Sequence, residues 1–122
     1  MRVKVYWNIH KKTFSVVAME GEKYGKVIRH TPAINLENVE FKVSEAGRAR
    51  VLRDRQKNVH AWAIGYESDK HTLTGKTVRY NPYVSANFYT VDGNPVHKAS
   101  YASFMSRTTD RGVRGIITAT TL

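Results

Sequence analysis

Cysteine is absent, which excludes disulfides, thiolate nucleophiles, cysteine-ligated zinc and iron–sulfur clusters. Proline occurs only three times in 122 residues, and with 41% hydrophobic and 11% aromatic residues the chain stands apart from disordered sequences of low hydrophobicity. Long apolar runs are missing too. Residues 1–9 alternate charged and apolar side chains, so neither a signal peptide nor a membrane span is expected, and the expected location is cytoplasmic. Acidic residues are scarce: ten Asp and Glu stand against twenty Lys and Arg, a formal charge of +10. Such a balance attracts polyanions. The length suits one domain and is too short for two full cores, which excludes a large multidomain enzyme.

What is present is mostly strand-like. Val3, Val5, Trp7 and Ile9 alternate with Arg2, Lys4, Tyr6, Asn8 and His10, the period-two pattern of a half-buried strand over residues 2–10. Residues 13–19 are β-branched and aromatic and supply an antiparallel partner across a short loop at Lys11 and Lys12. By its pattern Trp7 belongs to the core rather than to a contact surface. Short strands are expected at 26–30 and 39–43, with a turn around Pro32. Ser44 is a good helix N-cap, and residues 44–57 are rich in helix formers, with Ala46, Ala49 and Leu52 as a narrow small-residue stripe. A strand over 59–66 follows, with Val59, Ala61, Ala63 and Gly65 on a small face suited to that stripe. Further strands are expected within 77–80, 87–91, 95–105 and 113–118, as a meander with turns at 80–83 and 92–94 and a mobile loop over 106–112. The fold class is therefore α+β: a single domain, residues 1–122, mainly antiparallel sheet with one Arg-rich helix packed on it.

Charge concentrates towards the N-terminal half, with thirteen Lys and Arg against six Asp and Glu in residues 1–57. Its densest stretch, residues 47–57, holds Arg48, Arg50, Arg53, Arg55 and Lys57 against Asp54 alone. Phosphate neutralisation by such a run gives sequence-independent affinity, and arginine adds bidentate geometry. The ordinary alternative is a solvated helix face partly paired with Glu37, Glu40 or Glu45. A second basic and aromatic cluster lies at the first hairpin, where Tyr6, His10, Lys11 and Lys12 are the surface candidates for stacking and phosphate contact.

Enzyme signatures are sparse. The five histidines, His10, His30, His60, His71 and His97, show no metal-ligand spacing, the acids form no metal-binding pair, and the Gly112 to Gly115 segment is too short for a phosphate loop. No cofactor or metal is expected. A metal-independent ribonuclease needs only two histidines and cations near the phosphate, roles that His10, His60, Arg53 and Lys12 would fill on convergence.

The stretch Val5-Tyr6-Trp7-Asn8-Ile9-His10-Lys11-Lys12, the pattern from Ala46-Gly47-Arg48 through Arg50-Val51-Leu52 to Lys57-Asn58-Val59-His60-Ala61, and Tyr80-Asn81-Pro82-Tyr83 resemble small proteins of tailed bacteriophages. The resemblance implies a product acting in the host cytoplasm and carries no catalytic residues with it. Many such phage proteins bind nucleic acid or inhibit a host defence system. The leading expectation is a non-enzymatic protein that binds DNA or RNA through phosphate contacts, with no membrane partner. The alternatives are an inhibitor of a host protein such as a defence nuclease, and the ribonuclease above.

Overall fold

The computed structural model describes residues 1–69 and 75–121. Among the described residues ten strands join in one antiparallel sheet, and its N-terminal edge follows the sequence pattern closely. β1 (Arg2–Asn8) and β2 (Thr13–Ala18) form a hairpin in which Val3, Val5 and Trp7 face Ala18, Val16 and Phe14. Asn8 shapes the turn: its Oδ1 accepts from the backbone N–H groups of His10 (3.1 Å) and Lys11 (3.0 Å), and Lys12 closes it at a positive φ of 54°. β3 (Val27–Thr31) pairs with β2 at the sheet edge.

β4 (Ala33–Val43) is eleven residues long, more than twice the expected 39–43. Strict alternation fails in it because Asn38 adopts φ 51° and the register with the next strand shifts between Glu37 and Glu40. That extra residue brings Ile34, Leu36, Val39 and Phe41 into one buried set, which a period-two reading splits between two faces.

The helix, α1 (Glu45–Asp54), stops three residues earlier than the sequence predicts. Ser44 is the expected N-cap, its Oγ accepting from Gly47 N at 3.1 Å. At the other end Arg55 turns left-handed (φ 55°) and its N–H donates to Val51 O at 2.8 Å, so Arg55 and Lys57 lie beyond the helix. The cause is return distance. Val43 pairs directly with Ala61 of β5 (Ala61–Glu67), so the excursion must come back to its origin. Ten helical residues rise about 15 Å, and six extended residues, 55–60, span about 20 Å and close the path. A helix running to Lys57 would leave too few residues to return.

Its packing face also differs from the expected one. Gly47 and Val51 are the buried positions, whereas Ala46 and Ala49 are exposed. Gly47 sits so close to His60 that a Cβ there would lie 2.5 Å from His60 Cβ, so the missing side chain is what allows the contact. The small face of β5 instead joins the sheet's interior, where Ala63 belongs to the main core.

Beyond the helix lie β6 (Lys76–Arg79), β7 (Phe88–Thr90), β8 (Pro95–Val96), β9 (Lys98–Thr109) and β10 (Gly112–Thr121). The strand order is β3-β2-β1-β5-β4-β9-β10-β6-β7-β8, so the expected meander is confined to β6-β7-β8, with the β9-β10 hairpin inserted between them and β4. The turn at 92–94 is present, with Gly93 at φ 86°. Residues 106–112 do not form the expected mobile loop: β9 continues through Thr109, Asp110 and Arg111 make the turn, and Gly112 starts β10 at φ 109°. Polar side chains conceal this strand because Arg107, Thr108 and Thr109 are all exposed, and backbone pairing alone orders them.

The sheet folds on itself. Phe14 of β2 meets Phe104 of β9 edge to face at 5.7 Å, and Gly115 of β10 lies against the rings of Trp7 and Phe14. The core between the two faces comprises Val3, Val5, Val16, Leu36, Phe104 and their neighbours. Trp7 packs against it, as its pattern predicts.

Candidate nucleic-acid interface

Two adjoining clefts open where the folded sheet, the end of α1 and the 80–83 turn meet. The inner cleft, about 590 Å³, has Trp7, Phe14 and Phe104 in its depth and Arg79 and Arg114 among its lining residues. The outer cleft, about 480 Å³, is bounded by Ile9, Val51, Arg55, Lys57, His60 and Tyr83. Trp7, Ala61, Tyr80 and Asn81 belong to both. Neither wall contains an Asp or Glu among the described residues.

Tyr80 lines both clefts, and His60 lines the outer one beside it. Asn58 O can only accept, so His60 Nδ1, 3.1 Å away, carries the proton of the neutral ring. Nε2 then accepts from the Tyr80 hydroxyl at 2.6 Å. Tyr80 also packs against Phe88 (5.2 Å), which meets Phe41 (5.1 Å), tying this shared wall to the core. Burial raises the Tyr80 phenol above its ordinary pKa, with the nearby Arg48 charge opposing the shift. Arg48 itself donates from Nε to Pro82 O at 3.1 Å, joining the helix to the 80–83 turn. That turn is closed by Asn81, whose Oδ1 accepts from Tyr83 N and whose carbonyl accepts from Val84 N.

The site residues expected from sequence therefore divide. Arg55 and Lys57 line the outer cleft, and Ile9 in the same wall leads directly into the exposed His10, Lys11 and Lys12 turn. Tyr6 borders the inner cleft while its pairing with Ser15 places it on the opposite strand face from Trp7. Arg50 is exposed on the helix. Arg48 is engaged with Pro82, and Arg53 forms an ion pair with its neighbour Asp54, Nε to Oδ1 at 2.9 Å, which cancels much of its field.

For ribonuclease chemistry, the essential fact is that both His60 ring nitrogens are already occupied within the fold. His30 Nδ1 is similarly engaged, 2.8 Å from Ser15 Oγ. His71 lies outside the described residues. No group of three or more His, Cys, Asp or Glu able to hold a metal occurs among the described residues, and no helix there is long and apolar enough to cross a membrane.

Sequence reading missed Arg79, Tyr80, Tyr83 and Arg114 as members of one site. Tyr80 is legible in sequence as a strand-end and turn residue and Tyr83 as a turn residue, and both as part of the phage-like pattern, none of which marks a site. Arg79 and Arg114 are brought close by the pairing of β6 with β10, separated by some 35 positions in the chain, a contact without local signature.

Comparison with known proteins supplies the lineage. The family described as Mycobacterium phage L5 gene 82 protein matches residues 1–111. The gene 82 protein of Mycobacterium phage L5 is 33% identical over 126 residues, covering 93% of this chain and 94% of that protein. No solved structure matches the chain. A match of this extent, over almost the whole of both chains, makes the chain a member of the Mycobacterium phage L5 gene 82 protein family.

Proposed function

We propose that this phage-family protein binds DNA or RNA in the host cytoplasm without catalysing a reaction, mainly through phosphate contacts. The observation that carries this reading is the approach of two basic segments to one cleft that holds no carboxylate among the described residues: Arg55 and Lys57 line it, and the Lys11-Lys12 turn follows Ile9 out of its wall. Cations in such a concavity concentrate the positive field of a +10 chain where a polyanion can approach. Arg50, exposed on the helix, adds to the positive field. The binding is sequence-independent in its principal term, since phosphates carry no base identity.

The test is a salt titration of binding to labelled oligonucleotides by the native protein and by a Lys11→Gln, Lys12→Gln, Arg55→Gln, Lys57→Gln variant. All four positions are exposed, so the fold is expected to survive. The expected result is weaker binding and a log–log salt slope lowered by up to about 0.9 for each lost phosphate contact. A folded variant with the native affinity and slope overturns the assignment.

A second reading, inhibition of a host protein such as a defence nuclease, is favoured by one feature: Ile9, Val59 and Tyr83 are exposed apolar residues around the outer cleft. It predicts negligible binding to naked nucleic acid in the same titration.

A further inference from the structure

Resting on the nucleic-acid reading, we infer that the ligand is a single strand, with unpaired bases entering the joined clefts and its backbone running between Arg55-Lys57 and a cross-strand arginine pair at Arg107 and Arg114. Continuity comes first. The clefts share Trp7 and Tyr80 in their walls, so Arg55 and Lys57 of the outer cleft and Arg79 and Arg114 of the inner one flank the same two aromatic rings. Tyr83, 58% exposed, stands at the outer mouth. Each cleft lies within the roughly 300–1,000 Å³ range of small-molecule sites, ample for a base but not for a duplex.

The form of the site selects among nucleic acids. Duplex readers project a helix or a β-ribbon into a groove, because paired bases expose only their edges. Here the aromatic surface is recessed, and only a base free of its partner can reach it. Aromatic faces flanked by cations are the general solution for holding single strands, since every base has a stacking face.

The far end of the track has an independent mark. Arg107 and Arg114 are directly paired across β9 and β10, so they share a strand face, and both are exposed. Like charges opposite one another destabilise a sheet pair. No carboxylate forms a salt bridge with either one among the described residues. A phosphate bridging the two guanidinium groups converts this repulsion into a charge-assisted, two-sided contact. Arg114 also lines the inner cleft, which connects the pair to the aromatic wall.

The experiment compares three probes at one salt concentration: a single-stranded oligonucleotide, its duplex, and an abasic strand with the same number of phosphates. Both tryptophans line the inner cleft, so a Trp62→Phe background, which keeps an aromatic ring in that wall, leaves Trp7 as the only tryptophan and gives an optical signal from the cleft. The expected result is at least tenfold tighter binding of the single strand than of either other probe, with Trp7 fluorescence quenched by the single strand alone. Tyr83→Ala is expected to reduce single-strand affinity about fivefold to a hundredfold, the range for loss of one stacked base. Arg107→Gln with Arg114→Gln is expected to weaken the single strand and the abasic strand alike and to lower the salt slope. Equal affinity for all three probes with unchanged Trp7 fluorescence overturns the single-strand track while leaving phosphate binding in place. Failure to bind any probe overturns both readings.

Discussion

Tyr80 illustrates how one side chain serves both fold and site. Its hydroxyl donates to His60 Nε2, and it lines both clefts. Because burial raises its pKa, the neutral phenol is favoured in the folded protein. The unfolded chain ionises first as pH rises through about 10, so the stability contributed by Tyr80 is complete below that pH and declines as pH climbs towards the folded phenol's higher value. Denaturant midpoints measured across alkaline pH should fall more steeply for the native protein than for Tyr80→Phe. At neutral pH the same variant should be less stable by about 1–3 kcal/mol, since His60 keeps a buried acceptor without a donor. Identical alkaline profiles would show that the phenol does not lose its proton later than the unfolded chain's.

At the scale of elements, α1 is held by contacts that its own amphipathicity does not reveal. Its Ala46-Ala49 stripe faces solvent, while Gly47 and Val51 are buried, Gly47 against His60, and Arg48 reaches the 80–83 turn. Gly47→Ala therefore sets two effects against each other. Helix propensity favours alanine by about 1 kcal/mol, whereas the added methyl would lie 2.5 Å from His60 Cβ, and relieving such a clash typically costs about 1–3 kcal/mol. The clash should win, giving a net loss of stability in urea unfolding and a displaced His60-Tyr80 contact. A gain in stability would mean that the helix shifts freely away from His60. The β9-β10 hairpin has the converse character: its outer part is polar and was legible as a loop, but continuous pairing from Thr109-Gly112 inward makes it a ribbon.

For the whole molecule, the +10 charge has opposite consequences for stability and binding. Added salt screens self-repulsion in the free protein and should raise its unfolding midpoint, while competing with phosphate contacts and lowering nucleic-acid affinity. Thermal unfolding and binding followed over the same salt series should thus move in opposite directions. Parallel movement, with affinity rising alongside stability, would point to apolar docking around Ile9, Val59 and Tyr83 and favour the protein-partner reading.

Local patterns carried much of this protein. The β1-β2 alternation, the inward place of Trp7, the Ser44 cap, the Gly93 turn and the basic surplus are properties of near neighbours or of composition, and neighbouring residues suffice to express them. Three features belong to the tertiary structure alone. The bulge at Asn38 lengthens β4 by shifting its phase, the return distance from Val43 to Ala61 ends α1 at Asp54, and the folding of the sheet joins Trp7, Tyr80, Arg55 and Arg114 around adjoining clefts. These depend on pairings between strands far apart in the chain, such as β1 with β5, β4 with β9 and β6 with β10. Period-two alternation specifies which face of a strand is buried, but it contains no information about which distant strand lies beside it.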